Sequence, residues 1–222
     1  MYLLIALLCA CVTGVGGMFY VRSYFKEKEV KYTQKQRNIF IAVTVVFFAA
    51  AAVLMAVFSN PDDRTLFVFA KTLLVCFSYY FLAVIDFKLK VIPNKALLVM
   101  LGVVVILLAA QCLVEGRSIM ILSDALIGSV IAGGIFMIGK LISRNGMGMG
   151  DVKLMAVSGL YVGLNEVMGI IFWALFCAML TGFGLMIAKK AKIKSTIPLA
   201  PFFFLGSVIS NVFYIISGLT EG

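Results

Sequence analysis

Eight apolar runs, most of them close to twenty residues long, decide most of what this chain can become. They extend from about Tyr2 to Val21, Ile39 to Phe58, Leu66 to Ile85, Ala96 to Val114, Ile121 to Leu141, Val152 to Gly163, Val167 to Ala188 and Pro198 to Leu219. An α-helix rises about 1.5 Å per residue, so roughly twenty apolar residues cross a hydrocarbon layer about 30 Å thick. Inside lipid every backbone N–H and C=O must be satisfied within the segment, which makes helices the solution for runs of this length. With 63% hydrophobic residues, 19 basic and 10 acidic side chains in 222 residues, the chain has too little polar surface for a soluble domain. The expected fold is all-α: a polytopic membrane protein of about eight transmembrane helices, forming one membrane-embedded domain over residues 1–222. The first run has no basic stretch before it and is too long for a signal-sequence core, so it counts as a retained span. The sixth run is short, and at about 18 Å it requires either the glycine-rich stretch before it to enter the membrane or the bilayer to thin.

Loop charge orients these spans. Sixteen of the nineteen Lys and Arg residues fall within residues 22–37, 88–95, 140–153 and 189–194, in alternate connections; only Arg64, Lys71 and Arg117 lie on the other side. Basic loops favour the cytoplasmic side. Both termini are therefore expected outside, with residues 22–38 forming a short basic cytoplasmic loop. The net charge of +9 is accounted for by these loops and their contact with lipid headgroups. The lipid bilayer is thus an expected partner and nucleic acid is not; the oligomeric state is left open.

The chain contains no histidine. That removes histidine-based zinc hydrolysis, Ser/His and Cys/His nucleophile pairs and imidazole proton relays together. Cys9, Cys11, Cys76, Cys112 and Cys177 all fall in apolar runs without a CxxC pair, which fits buried thiols and no metal site. Lys71 and Ser78 are two helical turns apart, about 10 Å, too far for direct proton transfer. Hydrolysis would have to use carboxylates. Of the ten acids, Glu27 and Glu29 lie in the basic first loop, and Asp62, Asp63, Glu115, Asp124, Glu166 and Glu221 fall on or near the outer side. Asp86 and Asp151 remain.

Asp86 closes the third apolar run in "LAVIDFKLKVIPNK" and Asp151 opens the sixth in "GMGMGDVKL", so both reach the cytoplasmic edge of the hydrocarbon from different helices. An ionisable group at that depth costs a few kcal/mol and points to function. Singly, Asp151 reads as a helix N-cap and Asp86 as an interfacial ion pair with nearby lysines. Together they can share one proton and activate a water, as two carboxylates a few Å apart do in an aspartyl protease. Asp151 at a helix amino end and Asp86 near a carboxyl end suggest Asp151 as base and Asp86 as protonated partner. Gly146, Gly148 and Gly150 would let an extended substrate backbone approach Asp151. A proton-coupled transporter with the two acids as relay is the alternative, although both lie at one edge and not at the midplane.

"GMGDVKL", "DFKLKVIPN" and "IPLAPFFFLG", in this order, resemble the type IV prepilin peptidase family of GxGD intramembrane aspartic proteases. The likeness covers about residues 66–210, the expected peptidase core. It implies a membrane endopeptidase that removes the basic leader of pilin-like, pseudopilin-like or Flp/competence-type proteins at the cytoplasmic face, with Asp86 and Asp151 as the catalytic pair. Many members carry a cytoplasmic zinc domain with two CxxC pairs; here residues 22–38 contain no cysteine. Proteolysis in the family needs no cofactor, whereas members that also methylate the new amino terminus use S-adenosylmethionine. Around the pair, Pro93 and Asn94 are expected to end one helix and cap the next, Pro198 and Pro201 to open the last helix, and Lys88 and Lys153 to reach lipid phosphates.

Overall fold

A computed structural model describes residues 16–17, 19–28, 38, 42, 63–116, 118–143, 147–188 and 198–220. Nearly all of the first two expected spans, residues 29–37 of the basic loop, Gly146 and the basic run 189–194 lie outside these. The chain divides into two units, Met1–Phe77 and Ser78–Gly222, with the division inside the third expected span. In the first unit residues 19–27 are helical, and Tyr20 stacks on Tyr24 with ring centroids 6.1 Å apart. The second unit carries both aspartates.

The described elements are α1 (Asp63–Leu89), α2 (Asn94–Glu115), α3 (Ser118–Ser143), α4 (Met149–Val162), α5 (Leu164–Ile187) and α6 (Ala200–Thr220). The protein is all-helical, with no strand among the described residues. Asn94–Leu113, Ile119–Ser143 and Leu164–Ile187 are each long and apolar enough to cross a membrane, and Ala200–Phe213 is a shorter apolar stretch.

Two boundaries matter for the aspartates. α1 stops where Lys90 turns to a φ of 52°, its N–H donating to the Asp86 carbonyl at 2.8 Å. Val91 to Pro93 then carry no regular secondary structure, with Ile92 and Pro93 buried. Pro93 at φ −68° and ψ 128° is the N-cap of α2, and no side chain caps that end. The expectation that Asn94 caps is therefore corrected: it is the first helical residue, because proline pushes the chain before it out of helical geometry and supplies the bend itself. At α4 the helix begins at Met149 with Gly148 as N-cap, three residues before the apolar run, so Asp151 is its third residue and not the cap. At 14 residues α4 spans about 21 Å, still short of the hydrocarbon thickness.

α4 packs against α2, α3 and α5. Between apolar helices in lipid, association depends on close van der Waals fit, which favours small residues at the crossing. A Cβ on Gly128 of α3 would stand 2.7 Å from the Gly163 carbonyl carbon and 2.9 Å from Gly159 O, and one on Gly159 would run into the Gly128 backbone. Gly133 faces Ala156 in the same seam. Gly206 of α6 lies equally close to Ile170 O and Ala174 N of α5, at 2.6 and 2.7 Å from its Cβ position. Phe203 of α6 meets Tyr79 of α1 and Phe136 of α3, with ring centroids at 6.0 and 5.4 Å, and all three rings are buried. This aromatic contact fixes α1 to α6 two helical turns from Asp86.

Candidate active site

Asp86 lies in the last turn of α1, one residue beyond the apolar run that ends at Ile85, and is only 5% exposed. A carboxylate this enclosed requires donors. The Ala200 N–H donates to Asp86 Oδ2 at 3.1 Å, and the Leu199 N–H also stabilises the ionised form. These N–H groups belong to the amino end of α6, where the first amides of a helix have no intrahelical acceptor. Burial pushes the Asp86 carboxyl above its ordinary 3.8, against the lowering effects of Ala200, Leu199 and the Lys90 ammonium. Asp86 thus meets a helix amino end as well as the carboxyl end of its own helix, which the chain order alone did not show.

Asp151 projects from the first turn of α4, and its Oδ2 accepts the Gly148 N–H at 3.2 Å. This is one half of a capping box; the glycine at the cap has no side chain to supply the other half. Its carboxyl is pushed up from 3.8 to about 6, first by burial and then by the negative charge of Asp86, with the Gly148 amide opposing. An electrostatic effect of Asp86 on Asp151 puts the two carboxylates within coulombic range of each other, although they are 65 positions apart in the chain.

The surrounding residues divide. The space expected at Gly150 for a substrate backbone is taken by Ile92, whose Cβ lies 2.8 Å from where a Gly150 Cβ would be. Gly148 faces the Asp151 carboxylate, with Oδ2 3.3 Å from its Cβ position, and is exposed. Lys153 Nζ donates to Asn94 Oδ1 at 3.2 Å, so this lysine binds another part of the site. Lys88 is exposed in the last turn of α1, where a cation complements the helix dipole. Pro198 precedes α6 and Pro201 is its second residue, beside the amides that hold Asp86. Those amides and the Lys153–Asn94 bond were not visible in the sequence. The proline pair was the one signal that the chain turns there.

An all-helical membrane protein with one buried and one half-buried carboxylate, drawn from two helix ends, is the class this arrangement defines. Residues 72–183 match the type IV leader peptidase family, and the chain belongs to that family. It is 28% identical over 196 residues to the prepilin leader peptidase/N-methyltransferase of Escherichia coli (strain K12), an alignment covering 84% of this chain and 80% of that protein. No solved structure matches the chain.

Proposed function

We propose that this leader peptidase is an aspartic endopeptidase that cuts the basic leader from prepilin-type proteins, with Asp86 and Asp151 as its catalytic pair. The observation that carries the reading is that two helix-end carboxylates, Asp86 held by the Ala200 amide at 3.1 Å and Asp151 by the Gly148 amide at 3.2 Å, lie within electrostatic reach of each other. Such a pair works with one proton between its members. We assign the ionised role to Asp86, which takes two amides of a helix amino end, and the protonated role to Asp151; this reverses the order suggested by the helix ends alone. The Asp86 carboxylate removes a proton from a water whose oxygen attacks the scissile carbonyl carbon, while Asp151 gives its proton to the carbonyl oxygen. Collapse of the tetrahedral species returns a proton to the leaving nitrogen, and the pair regains its starting state.

The alternating basic loops support an active site facing the cytoplasm of a bacterial inner membrane, where a basic leader would lie. The peptidase core is assigned to residues 66–210 within a single membrane domain. Proteolysis of this kind needs two carboxylates and water. Methyl transfer, which the Escherichia coli relative's name includes, would require S-adenosylmethionine. Incubating the purified full-length protein with a prepilin-type peptide, with and without S-adenosylmethionine, and weighing the products separates the two activities. Cleavage lost in both Asp86→Asn and Asp151→Asn, with membrane insertion intact, is the expected result. Full cleavage by either variant overturns the assignment.

A further inference from the structure

Asp151 is flanked on α4 by two contacts with the segment that follows Asp86. One residue before it, Gly150 has no side chain where Ile92 packs, 2.8 Å from its Cβ position. Two residues after it, Lys153 Nζ donates to Asn94 Oδ1 at 3.2 Å. Ile92 and Asn94 lie on either side of Pro93, whose rigid ring passes a displacement of one to the other. Lys153 and Asn94 are both exposed, so their bond contributes little to global stability and leaves no buried polar group when removed. Residues two apart on a helix point to different sides, so Lys153 does not share Asp151's direction. Its ammonium is engaged with the start of α2.

We propose that Lys153 is a positioning residue: through Asn94 it clamps the first turn of α4 onto the linker after Asp86 and so sets the separation of the two carboxylates. The inference rests on the catalytic reading of Asp86 and Asp151. The glycine contact stops the two segments approaching further, and the Lys153–Asn94 bond stops them parting. A shift of about 1 Å in such a pair is enough to lower turnover about 100-fold.

The test uses full-length protein and a prepilin-type peptide, comparing Lys153→Met, Asn94→Ala, the double variant and Asn94→Asp. Each single change is expected to lower kcat about 10- to 100-fold with KM little altered, since geometry and not substrate binding is lost. The double variant is expected to fall no further than the worse single one, and Asn94→Asp, which keeps an acceptor for the ammonium, to retain wild-type kcat. An unchanged kcat in Asn94→Ala, additive losses, or an effect confined to KM would overturn the clamp and leave Lys153 facing substrate or lipid. A second measurement does not need activity: spin labels on Val91→Cys and Met149→Cys, both exposed positions, in an otherwise cysteine-free chain. Their separation is expected to widen in Lys153→Met and to hold in Asn94→Asp. A constant separation overturns the proposal even where cleavage proceeds, whereas widening in Lys153→Met together with a wild-type protein that cuts no peptide removes the peptidase reading alone.

Discussion

The Asp86 carboxylate, at the carboxyl end of α1, accepts a hydrogen bond of 3.1 Å from the Ala200 amide, at the amino end of α6. One atom pair therefore joins the start of the second unit's chain path to its end and holds a buried carboxylate while doing so. The amide also needs the carboxylate, because a helix amino end buried without an acceptor is costly. Ala200 is fully buried.

Two substitutions at Asp86 should therefore separate chemistry from folding. Asp86→Asn keeps an oxygen for the Ala200 N–H, so the fold should melt close to wild type while cleavage disappears. Asp86→Ala removes the acceptor and leaves a buried donor unsatisfied, which costs about 1–3 kcal/mol. Thermal unfolding in detergent, followed through Trp173 fluorescence, checks the order: wild type and Asp86→Asn together, Asp86→Ala lower.

Asp151 should leave a signature in stability against pH. Its folded-state carboxyl titrates near 6 against an ordinary 3.8, so between those values the folded protein holds more proton than the unfolded chain. Stability is then lost as pH rises through that window and stays at the lower level above it. Asp151→Asn cannot ionise and should escape the loss. Its melting temperature should exceed that of wild type at pH 7, and the two should converge toward pH 4. A difference that grows toward pH 4 would reverse the sign and contradict the shift.

Asp86 and Asp151 stood out in the sequence because they were the two acids expected at the cytoplasmic ends of apolar runs, whereas Glu115 and Glu166 at other run ends fell on or near the outer side. The six described helices could be anticipated from the apolar runs, but their ends moved where backbone geometry decided them. α4 begins at Met149 because Gly148 can cap without a side chain, a signal that hydropathy does not carry. Ala200 was illegible for another reason: its contribution is an N–H that every residue but proline has. The Lys153–Asn94 bond joins positions 59 residues apart, and neither residue type specifies the other. The Gly128–Gly159 contact was hidden in the same way, since glycine is common in membrane helices and its partner is chosen by the packing.

Gly150 should not tolerate even a methyl group. A Cβ there would lie 2.8 Å from the Cβ of the buried Ile92, on the linker that leads away from Asp86. Gly150→Ala must push the linker and α4 apart, and turnover should fall about 10-fold or more with the fold intact. Because the colliding atom is the Ile92 Cβ itself, Ile92→Ala should not relieve the defect, whereas Ile92→Gly should restore part of it. Steady-state kinetics of wild type, Gly150→Ala, Ile92→Gly and the double variant form a cycle in which a positive coupling between positions 92 and 150 is the expected outcome. Additive losses would mean that the contact does not determine the site.

At the other end of α4, Gly163 and Asp124 set how the chain passes into α5. Gly163 adopts φ 81° and ψ −177°, a conformation open to glycine and strained for any other residue by about 1–3 kcal/mol. The Asp124 carboxylate of α3 occupies the space a side chain there would need, and its Oδ1 accepts the Leu164 N–H at 3.2 Å, capping α5 from a neighbouring helix. Gly163→Ala faces both the backbone strain and the carboxylate, so it should be the most destabilising change at this junction. Asp124→Ala loses only the cap, about 0.5–2 kcal/mol, and Asp124→Asn, which keeps an acceptor, less. Combining Gly163→Ala with Asp124→Ala removes the collision but not the strain, so the double variant should be more stable than the sum of the single losses requires. Melting temperatures of the four proteins in one detergent check this order, and a Gly163→Ala protein as stable as wild type would show that the junction adopts a different backbone.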